Sequence, residues 1–375
     1  MRILIIQPGI GPYRIDFFNL LANCCALKIV YFFEDATGQT FPEPLSLKLK
    51  NCEVERVDGG VNLRSYYPIR PRLNKVIKDF NPDIVVGYEF NTLALHLLML
   101  RKILRSQWSL LIWTSDNIST SSSCKFPRSF FRYFISKMTD GMLLYSQEVK
   151  DYYVRHLIPV SKSFVLPNIQ AAKNIRSRVD ESLRVAIEYQ QRHNLAGKKI
   201  FLFVGRLVPV KNLSRFIQSW HDATSELADV RFIFVGSGPL ESEIKAFASR
   251  ENEDRIILAG SCYDQELWAW YRLADCLVLP SIFEPFGAVV NEALAAGVPC
   301  LVSEKAGSSC LINSPEQGEL IDPYSIEDMR DKVRSICQRM EPHDHSELPA
   351  SLMPWDLDVY VDGFIKFCNK IIGRF

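Results

Sequence analysis

Three stretches of this sequence combine residue types that can hold an anion next to a polyhydroxyl group. In Val204-Gly205-Arg206-Leu207-Val208-Pro209-Val210-Lys211-Asn212 an apolar run ends at a glycine, and two cations bracket the start of the next helical pattern. Two cations beside a helix start suit a diphosphate, because both the guanidinium and free helix N–H groups favour phosphate oxygens. In Phe234-Val235-Gly236-Ser237-Gly238-Pro239 the glycines allow a tight turn and a close approach of backbone to a ligand. In Pro280-Ser281-Ile282-Phe283-Glu284-Pro285-Phe286-Gly287, running on to Glu292, one carboxylate lies in a loop and a second lies two turns into a helix. A carboxylate so placed can accept hydrogen bonds from two vicinal sugar hydroxyls, and the N–H groups from Phe286 to Val289 face the same ligand. Each stretch also has an ordinary reading: solvated surface charge for Arg206 and Lys211, a plain strand–helix turn for the glycines, and a helix-face carboxylate for Glu292.

Residues at such positions must be set by the ends of strands. Ile3–Ile6, Leu27–Phe33, Ile84–Gly87, Leu110–Trp113, Gly141–Tyr145 and Ser163–Leu166 read as strands, with helix-period stretches at Ile15–Asn23, Pro71–Phe80 and Thr92–Leu104 between them. The alternation starts again with strands at Lys199–Val204, Arg231–Val235, Ile256–Leu258, Cys276–Pro280 and Cys300–Ser303. Helices are expected at Leu213–Glu226, Pro239–Arg250, Gln265–Leu273, Val289–Ala296 and Ile326–Arg339. Apolar strands alternating with helices predict mainly parallel sheets covered on both faces. The chain therefore reads as two successive α/β domains, residues 1–168 and 169–355, joined by the polar stretch Asn168–Asp180. A last amphipathic helix covers Asp356–Phe375, with Val359, Phe364, Phe367 and Ile371 on its apolar face.

A length of 375 residues exceeds what one core serves, and 47% hydrophobic with 23% charged residues is ordinary for a globular protein. The net charge of +1 hides an asymmetry: residues 1–167 hold about 21 Lys/Arg against about 14 Asp/Glu, and the remainder about 23 against about 29. A basic first half fits an anionic partner. The near-zero total and the lack of a basic fold motif argue against nucleic acid. The ten cysteines form no CxxC pair and read as free thiols in a reducing compartment. His343 and His345 lie in a polar loop without further ligands nearby, so no metal is expected. No signal peptide or membrane-spanning run is visible, and the expected location is cytoplasmic.

Taken together, order and spacing across the second half resemble the family-4 retaining glycosyltransferases. The resemblance runs from Gly205-Arg206 through Val235-Gly236-Ser237-Gly238-Pro239, Ala259-Gly260 and Leu273-Ala274-Asp275. It continues through Glu284-Pro285-Phe286-Gly287, Asn291-Glu292-Ala293, Ala296-Gly297-Val298-Pro299 and Ser303, with two glutamates separated by seven residues. It implies the GT-B fold: two Rossmann-like α/β domains facing across a cleft, with the last helix crossing back to the first. It also implies a nucleotide-sugar donor, UDP- or GDP-linked, as substrate, with no other cofactor and no metal. Arg206 and Lys211 would hold the diphosphate, Glu284 the donor sugar, Glu292 the ribose, the backbone of Phe286, Gly287 and Ala288 the sugar and phosphate, and Ser261 and Cys262 the base. In the first domain, Gly9 and Gly11 of Gln7-Pro8-Gly9-Ile10-Gly11-Pro12-Tyr13-Arg14 would face the donor phosphates and the acceptor, with Tyr145-Ser146 and Leu166-Pro167-Asn168 near the hinge. The usual first-domain histidine is absent from Trp113-Thr114-Ser115-Asp116, which leaves Asp116 and Arg14 as candidate substrate contacts.

The implied function is transfer of a hexosyl unit to a sugar or lipid-linked sugar in surface polysaccharide or lipopolysaccharide synthesis. Two alternatives stay open: a nucleotide-sugar epimerase of the same architecture, and a non-catalytic nucleotide-sugar-binding subunit. Residues 125–138 add a further expectation. Lys125, Arg128 and Arg132 on one helical face and Phe126, Phe130 and Phe134 on another would make a peripheral contact with the inner face of the plasma membrane, extended by Arg101, Lys102 and Arg105. The plain alternative is a helix that buries its aromatics.

Overall fold

The computed structural model describes every residue except 35–42, 63–67, 105–106, 251–254, 341–345 and 374–375. His343, His345 and Arg105 therefore lie outside the described residues. The chain divides into two compact units, Met1–Gln170 with Leu357–Phe375, and Ala171–Asp356.

The first unit is built on seven parallel strands. They are β1 (Arg2–Gln7), β2 (Ala26–Tyr31), β3 (Glu53–Arg56), β6 (Ile84–Tyr88), β7 (Ser109–Trp113), β8 (Gly141–Leu144) and β9 (Ser163–Val165), with a small antiparallel pair, β4 (Val61–Asn62) and β5 (Pro68–Ile69), beside them. The sheet runs β3-β2-β1-β6-β7-β8-β9. Helices α1 (Ile15–Ala22), α2 (Leu73–Phe80), α3 (Thr92–Ile103), α4 (Ile118–Ser122), α5 (Arg128–Met138) and α6 (Gln147–His156) connect the strands. The middle of β1 and the strands β6 and β8 carry no charged side chain because both faces are covered, and Ile3, Leu4, Ile5 and Ile6 are fully buried.

The second unit opens with two helices, α7 (Ala172–Glu181) and α8 (Leu183–Arg192). The expected linker Asn168–Asp180 thus becomes helix after four residues. Its polar composition hid a stripe of Ile175 and Val179, buried where α7 packs on α11 (Asp264–Leu273). The six strands β10 (Lys199–Val204), β11 (Val230–Val235), β12 (Ile256–Gly260), β13 (Cys276–Leu279), β14 (Cys300–Ser303) and β15 (Gly318–Ile321) run in the order β12-β11-β10-β13-β14-β15, all parallel. Between them lie α9 (Leu213–Thr224), α10 (Glu241–Arg250), α11 and α12 (Ala288–Ala295), and α13 (Ile326–Arg339) follows β15. Leu213, Phe216, Ile217 and Trp220 recur at helical spacing on α9 and are buried against Phe232 and Phe234 of β11. Each such side chain contributes about 1.5–3 kcal/mol by leaving water.

In each sheet the strand order reverses once, between β1 and β6 in the first unit and between β10 and β13 in the second. Loops leaving the carboxyl ends on either side of that reversal diverge and leave a crevice, the usual ligand position in open α/β sheets. After Asp356 the chain rejoins the first unit through α14 (Leu357–Ile371). There Phe364 packs on Phe17 and Phe164, and Phe367 stacks on Phe164 with centroids 5.5 Å apart. Among the described residues no helix is long and apolar enough to cross a membrane, and all ten cysteines are free.

Candidate active site

In the second unit three loops rest on one another at the strand ends. Gly205 donates its N–H to Val235 O, Leu207 to Ser237 O and Gly236 to Gly260 O. The contact is tight enough to dictate glycine. A Cβ on Gly236 would lie 1.9 Å from Gly205 O, and one on Gly238 would lie 2.4 Å from Leu207 O. Their φ values of +136° and +154° also disfavour other residues. The sequence suggested that these glycines admit a ligand; the structure gives them the task of letting the first loop sit on the second. Ser261 extends the stack by donating to Ser237 Oγ at 3.1 Å, and Cys262 beside it is half-buried, with burial pushing its thiol pKa up.

The expected charges gather around the reversal between β10 and β13. Arg206 follows β10, is exposed and has no ion pair among the described residues. Lys211 ends a short 3-10 turn, Pro209–Lys211, and its Nζ is ion-paired with Glu284 Oε2 from the loop after β13. That loop is held in place from two sides: Ile282 donates to Val210 O, and Gly307 donates to Glu284 O. Gly287 begins α12 at φ +94°, where a Cβ would lie 2.5 Å from Leu279 and 2.9 Å from Ser308 Oγ. The N–H groups of Ala288 and Val289 precede the first turn bond, which Val290 donates to Gly287 O, and make an anion-favouring end. The Phe286 side chain is buried, so only its backbone is available to a ligand.

One turn further along α12, Glu292 Oε2 accepts a 2.6 Å hydrogen bond from the hydroxyl of Tyr271 on α11. Burial, and next the nearby Glu292 carboxylate, push the Tyr271 phenol well above its ordinary range, so it stays a donor and fixes the carboxylate. Sequence reasoning missed Tyr271, since nothing in its spacing ties it to a residue 21 positions later.

The first-unit candidates divide. Gly9, Gly11 and Arg14 line a cavity of about 320 Å³ at the reversal between β1 and β6. Arg14 is buried, donates to Gln7 Oε1 at 2.7 Å and to the Tyr145 hydroxyl at 2.9 Å, and lies 4.0 Å from the Trp113 ring centroid. The expectation for Asp116 needs correction. It is 3% exposed, is paired with Arg132 Nη2 at 2.7 Å and accepts a 2.5 Å hydrogen bond from the Tyr153 hydroxyl. A buried carboxylate persists only when paired in this way; Asp116 ties α5 to α6 and is not among the residues that line the cavity. Arg132 is corrected with it: buried and also donating to Thr120 O and Ser121 O, it is not part of a cationic surface.

The carboxylate that does open on this cavity is Glu89, which sequence reasoning did not single out. It follows β6 at φ +64°, an uncommon conformation for a non-glycine residue. Oε1 accepts from the Ser115 N–H at 2.7 Å and from its hydroxyl, and Oε2 accepts from Thr114 Oγ1 at 3.2 Å. Burial, and next the negative Asp116, raise its pKa. A roomier cavity of about 410 Å³ in the second unit is lined by Asp275 and Pro299 before β13 and β14. That is the amino end of the sheet, away from the loops just described. Among the described residues no cluster of three or more His, Cys, Asp or Glu is placed to hold a metal.

Residues 186–346 match the family described as glycosyl transferases group 1. The curated relatives include the alpha-D-kanosaminyltransferase of Streptomyces kanamyceticus, 25% identical over 44% of this chain and 44% of that protein. They also include the UDP-Gal:alpha-D-GlcNAc-diphosphoundecaprenol alpha-1,3-galactosyltransferase of Escherichia coli, 26% identical over 55% and 53%. The chain spans about half the length of the curated relatives it matches. Among solved structures, Anabaena HepE in complex with UDP and glucose superposes with a TM-score of 0.68 at 15% identity, covering 99% of this chain and 98% of that one. The lipopolysaccharide outer core galactosyltransferase WaaB gives 0.66 at 18% identity, with full coverage of both chains. These likenesses establish the fold as GT-B, with two Rossmann-like units.

Proposed function

Proceeding from the match of residues 186–346 to the glycosyl transferases group 1 family, we propose that this protein transfers a hexosyl unit from a nucleoside-diphosphate sugar to a sugar or lipid-linked sugar. The observation that carries the proposal is the joint placement of Arg206, the Lys211–Glu284 pair and the Tyr271-held Glu292 on loops and a helix around one strand reversal. In the transfer, the bond from the anomeric carbon to the diphosphate breaks, a bond to the acceptor oxygen forms, and the acceptor hydroxyl's proton passes to an oxygen of the departing diphosphate. Negative charge grows on the departing diphosphate, where fixed cations stabilise a transition state most. Arg206 and Lys211 supply that charge, without a metal. Glu284 accepts donor-sugar hydroxyls once the diphosphate draws Lys211 toward itself, and Glu292 accepts the ribose hydroxyls. The UDP in the HepE structure and the UDP-galactose of the Escherichia coli relative support a UDP-linked donor. Retention of anomeric configuration, as in glycosyltransferase family 4, and a place in surface polysaccharide synthesis belong to the same reading.

Purified protein is incubated with UDP-hexoses, with and without an acceptor glycan, while UDP release is followed and the product linkage is read by proton NMR. Acceptor-dependent release with an α-linked product from an α-linked donor is expected. Conversion of donor alone to its epimer would replace the transferase with an epimerase.

Membrane contact is part of the proposal in altered form. Phe126, Phe130, Phe131, Phe134 and Met138 are all more than 40% exposed on and beside α5, and the neighbouring α3 adds exposed Met99 and Ile103. Lys102, Lys125, Arg128 and Lys137, also exposed, supply the positive charge in place of the buried Arg132. An apolar patch rimmed by cations fits an anionic lipid surface. Co-sedimentation with phosphatidylglycerol vesicles should fall in Phe130→Ser/Phe134→Ser and in Arg128→Glu; unchanged sedimentation in both would remove the membrane contact.

A further inference from the structure

We propose that Tyr271 is a positioning residue for donor recognition: its hydroxyl sets the plane in which Glu292 accepts two ribose hydroxyls, and so gives the site a preference for a ribonucleotide over a 2′-deoxyribonucleotide. The proposal rests on the donor-site reading and adds to it a residue that touches no ligand.

Tyr271 lies in the last turn of α11 and Glu292 in the middle of α12. Both helices pack on α7, so the placement of one side chain relative to the other is set by a scaffold outside the site. The Tyr271 side chain is fully buried, which puts its hydroxyl beyond a ligand's reach, and its ring packs against Trp268 with centroids 5.6 Å apart. Glu292 is only half-buried. One member of the pair is therefore anchored in the core, and the other reaches toward the surface.

The last torsion of a glutamate side chain is broad and not confined to staggered wells, so the backbone of α12 does not by itself fix the carboxylate plane. The 2.6 Å bond from Tyr271 to Oε2 fixes it before a ligand arrives. Burial, and next the Glu292 carboxylate, hold the phenol in its protonated form, so it faces the carboxylate as a donor. A hydrogen bond to a charged acceptor is also stronger than one between neutral groups, which suits it to hold an orientation. Two vicinal hydroxyls reach one carboxylate together only when its plane is aligned with both; a tilted carboxylate keeps one and loses the other. Losing the Tyr271 hydroxyl should then weaken a ribose, which presents two hydroxyls, more than a 2′-deoxyribose, which presents one. A tie that served only to hold α11 to α12 would weaken both alike.

Isothermal titration calorimetry on the whole chain tests this with UDP, GDP and their 2′-deoxy counterparts. Wild type should bind one ribonucleotide about 10-fold or more tightly than its 2′-deoxy form, the factor for one hydrogen bond to a charged group. Tyr271→Phe keeps the ring in the core and should cut that ratio to about threefold or less, chiefly by weakening the ribonucleotide. In a Glu292→Gln background the same change should leave the ratio where it was, because Tyr271 acts through Glu292. Tyr271→Met, which also lacks the hydroxyl, gives the same reading should Tyr271→Phe fail to fold. A wild-type ratio in Tyr271→Phe, or equal weakening of both nucleotides, overturns the proposal and leaves the donor site standing. Equal binding of ribo- and 2′-deoxyribonucleotide by wild type overturns it together with the ribose role of Glu292. Binding of neither UDP nor GDP overturns the donor-site reading, and this proposal with it.

Discussion

Replacing Arg206 with alanine separates binding from folding more cleanly than any other change in the second unit. Arg206 is exposed, follows the last residue pair of β10 and has no ion pair among the described residues, so its removal leaves no buried group unsatisfied. Surface changes of that type alter stability by roughly 0.5 kcal/mol or less. Its contribution to a bound diphosphate is a charge-assisted hydrogen bond, worth about 1.5–3 kcal/mol. At about 1.4 kcal/mol per decade, UDP should bind roughly 10- to 150-fold more weakly to Arg206→Ala, with an unchanged melting temperature in the absence of ligand. Lys211→Ala should weaken UDP similarly but also lower stability, because it removes the Lys211 ion pair from Glu284, whose side chain is only 15% exposed. Isothermal titration calorimetry with UDP, alongside thermal melts of the free proteins, measures both effects. Arg206→Ala binding UDP within about twofold of wild type would refute the placement of this guanidinium on the diphosphate.

Two further expectations concern the backbone and the buried carboxylate. Gly236→Ala should cost about 3 kcal/mol or more, since a Cβ there meets Gly205 O at 1.9 Å at φ +136°, lowering the second unit's melting temperature by roughly 6–12 °C. Gly197→Ala, also at positive φ but with open space around its Cβ, should cost less, and equal melting of the two variants would contradict the loop-stacking account. Because burial and Asp116 raise Glu89's pKa in the fold, its protonated form is favoured there. The stability it contributes is fully present below the ordinary carboxylate range and is lost as pH rises through the raised value. Glu89→Gln should therefore melt higher than wild type toward about pH 8, with the gap closing as pH falls to about 4; a pH-independent gap would show that Glu89 does not titrate in this way.

The parts of the fold that sequence reveals are those buried on both faces. Lys199–Val204 and Cys300–Ser303 are strands at the residues the apolar runs mark, because a fully covered strand has little room for polar residues. Glu53–Arg56 and Gly318–Ile321 escape for the opposite reason: they are four-residue edge strands that carry charged side chains. The helix Ala172–Glu181 looks like linker because it buries only a narrow stripe, and Leu183–Arg192, with Ala186 and Tyr189 buried, has as weak a signal. At the second unit's site, the cations, glycines and glutamates are legible since loops after successive strands must meet. At the first unit's site, Asp116 is a candidate because it lies in the stretch where the resembling family carries a histidine, whereas Glu89 has no such signal. The difference lies in what surrounds each: Arg132 and Tyr153 close on Asp116 from α5 and α6, elements whose packing no local spacing encodes, and nothing in Gly87-Tyr88-Glu89-Phe90 announces a left-handed backbone.

If the loops around Arg206, Glu284 and Glu292 hold a nucleoside diphosphate, thermal melts with UDP, GDP, ADP, CDP and TDP will register it. A ligand that binds only the folded chain at about 100 times its Kd adds about 2.7 kcal/mol of stability. The account predicts that one of the five, UDP foremost, raises the melting temperature of wild type but of neither Lys211→Ala nor Glu292→Ala. No shift with any of them, or a shift that survives in both variants, would contradict it.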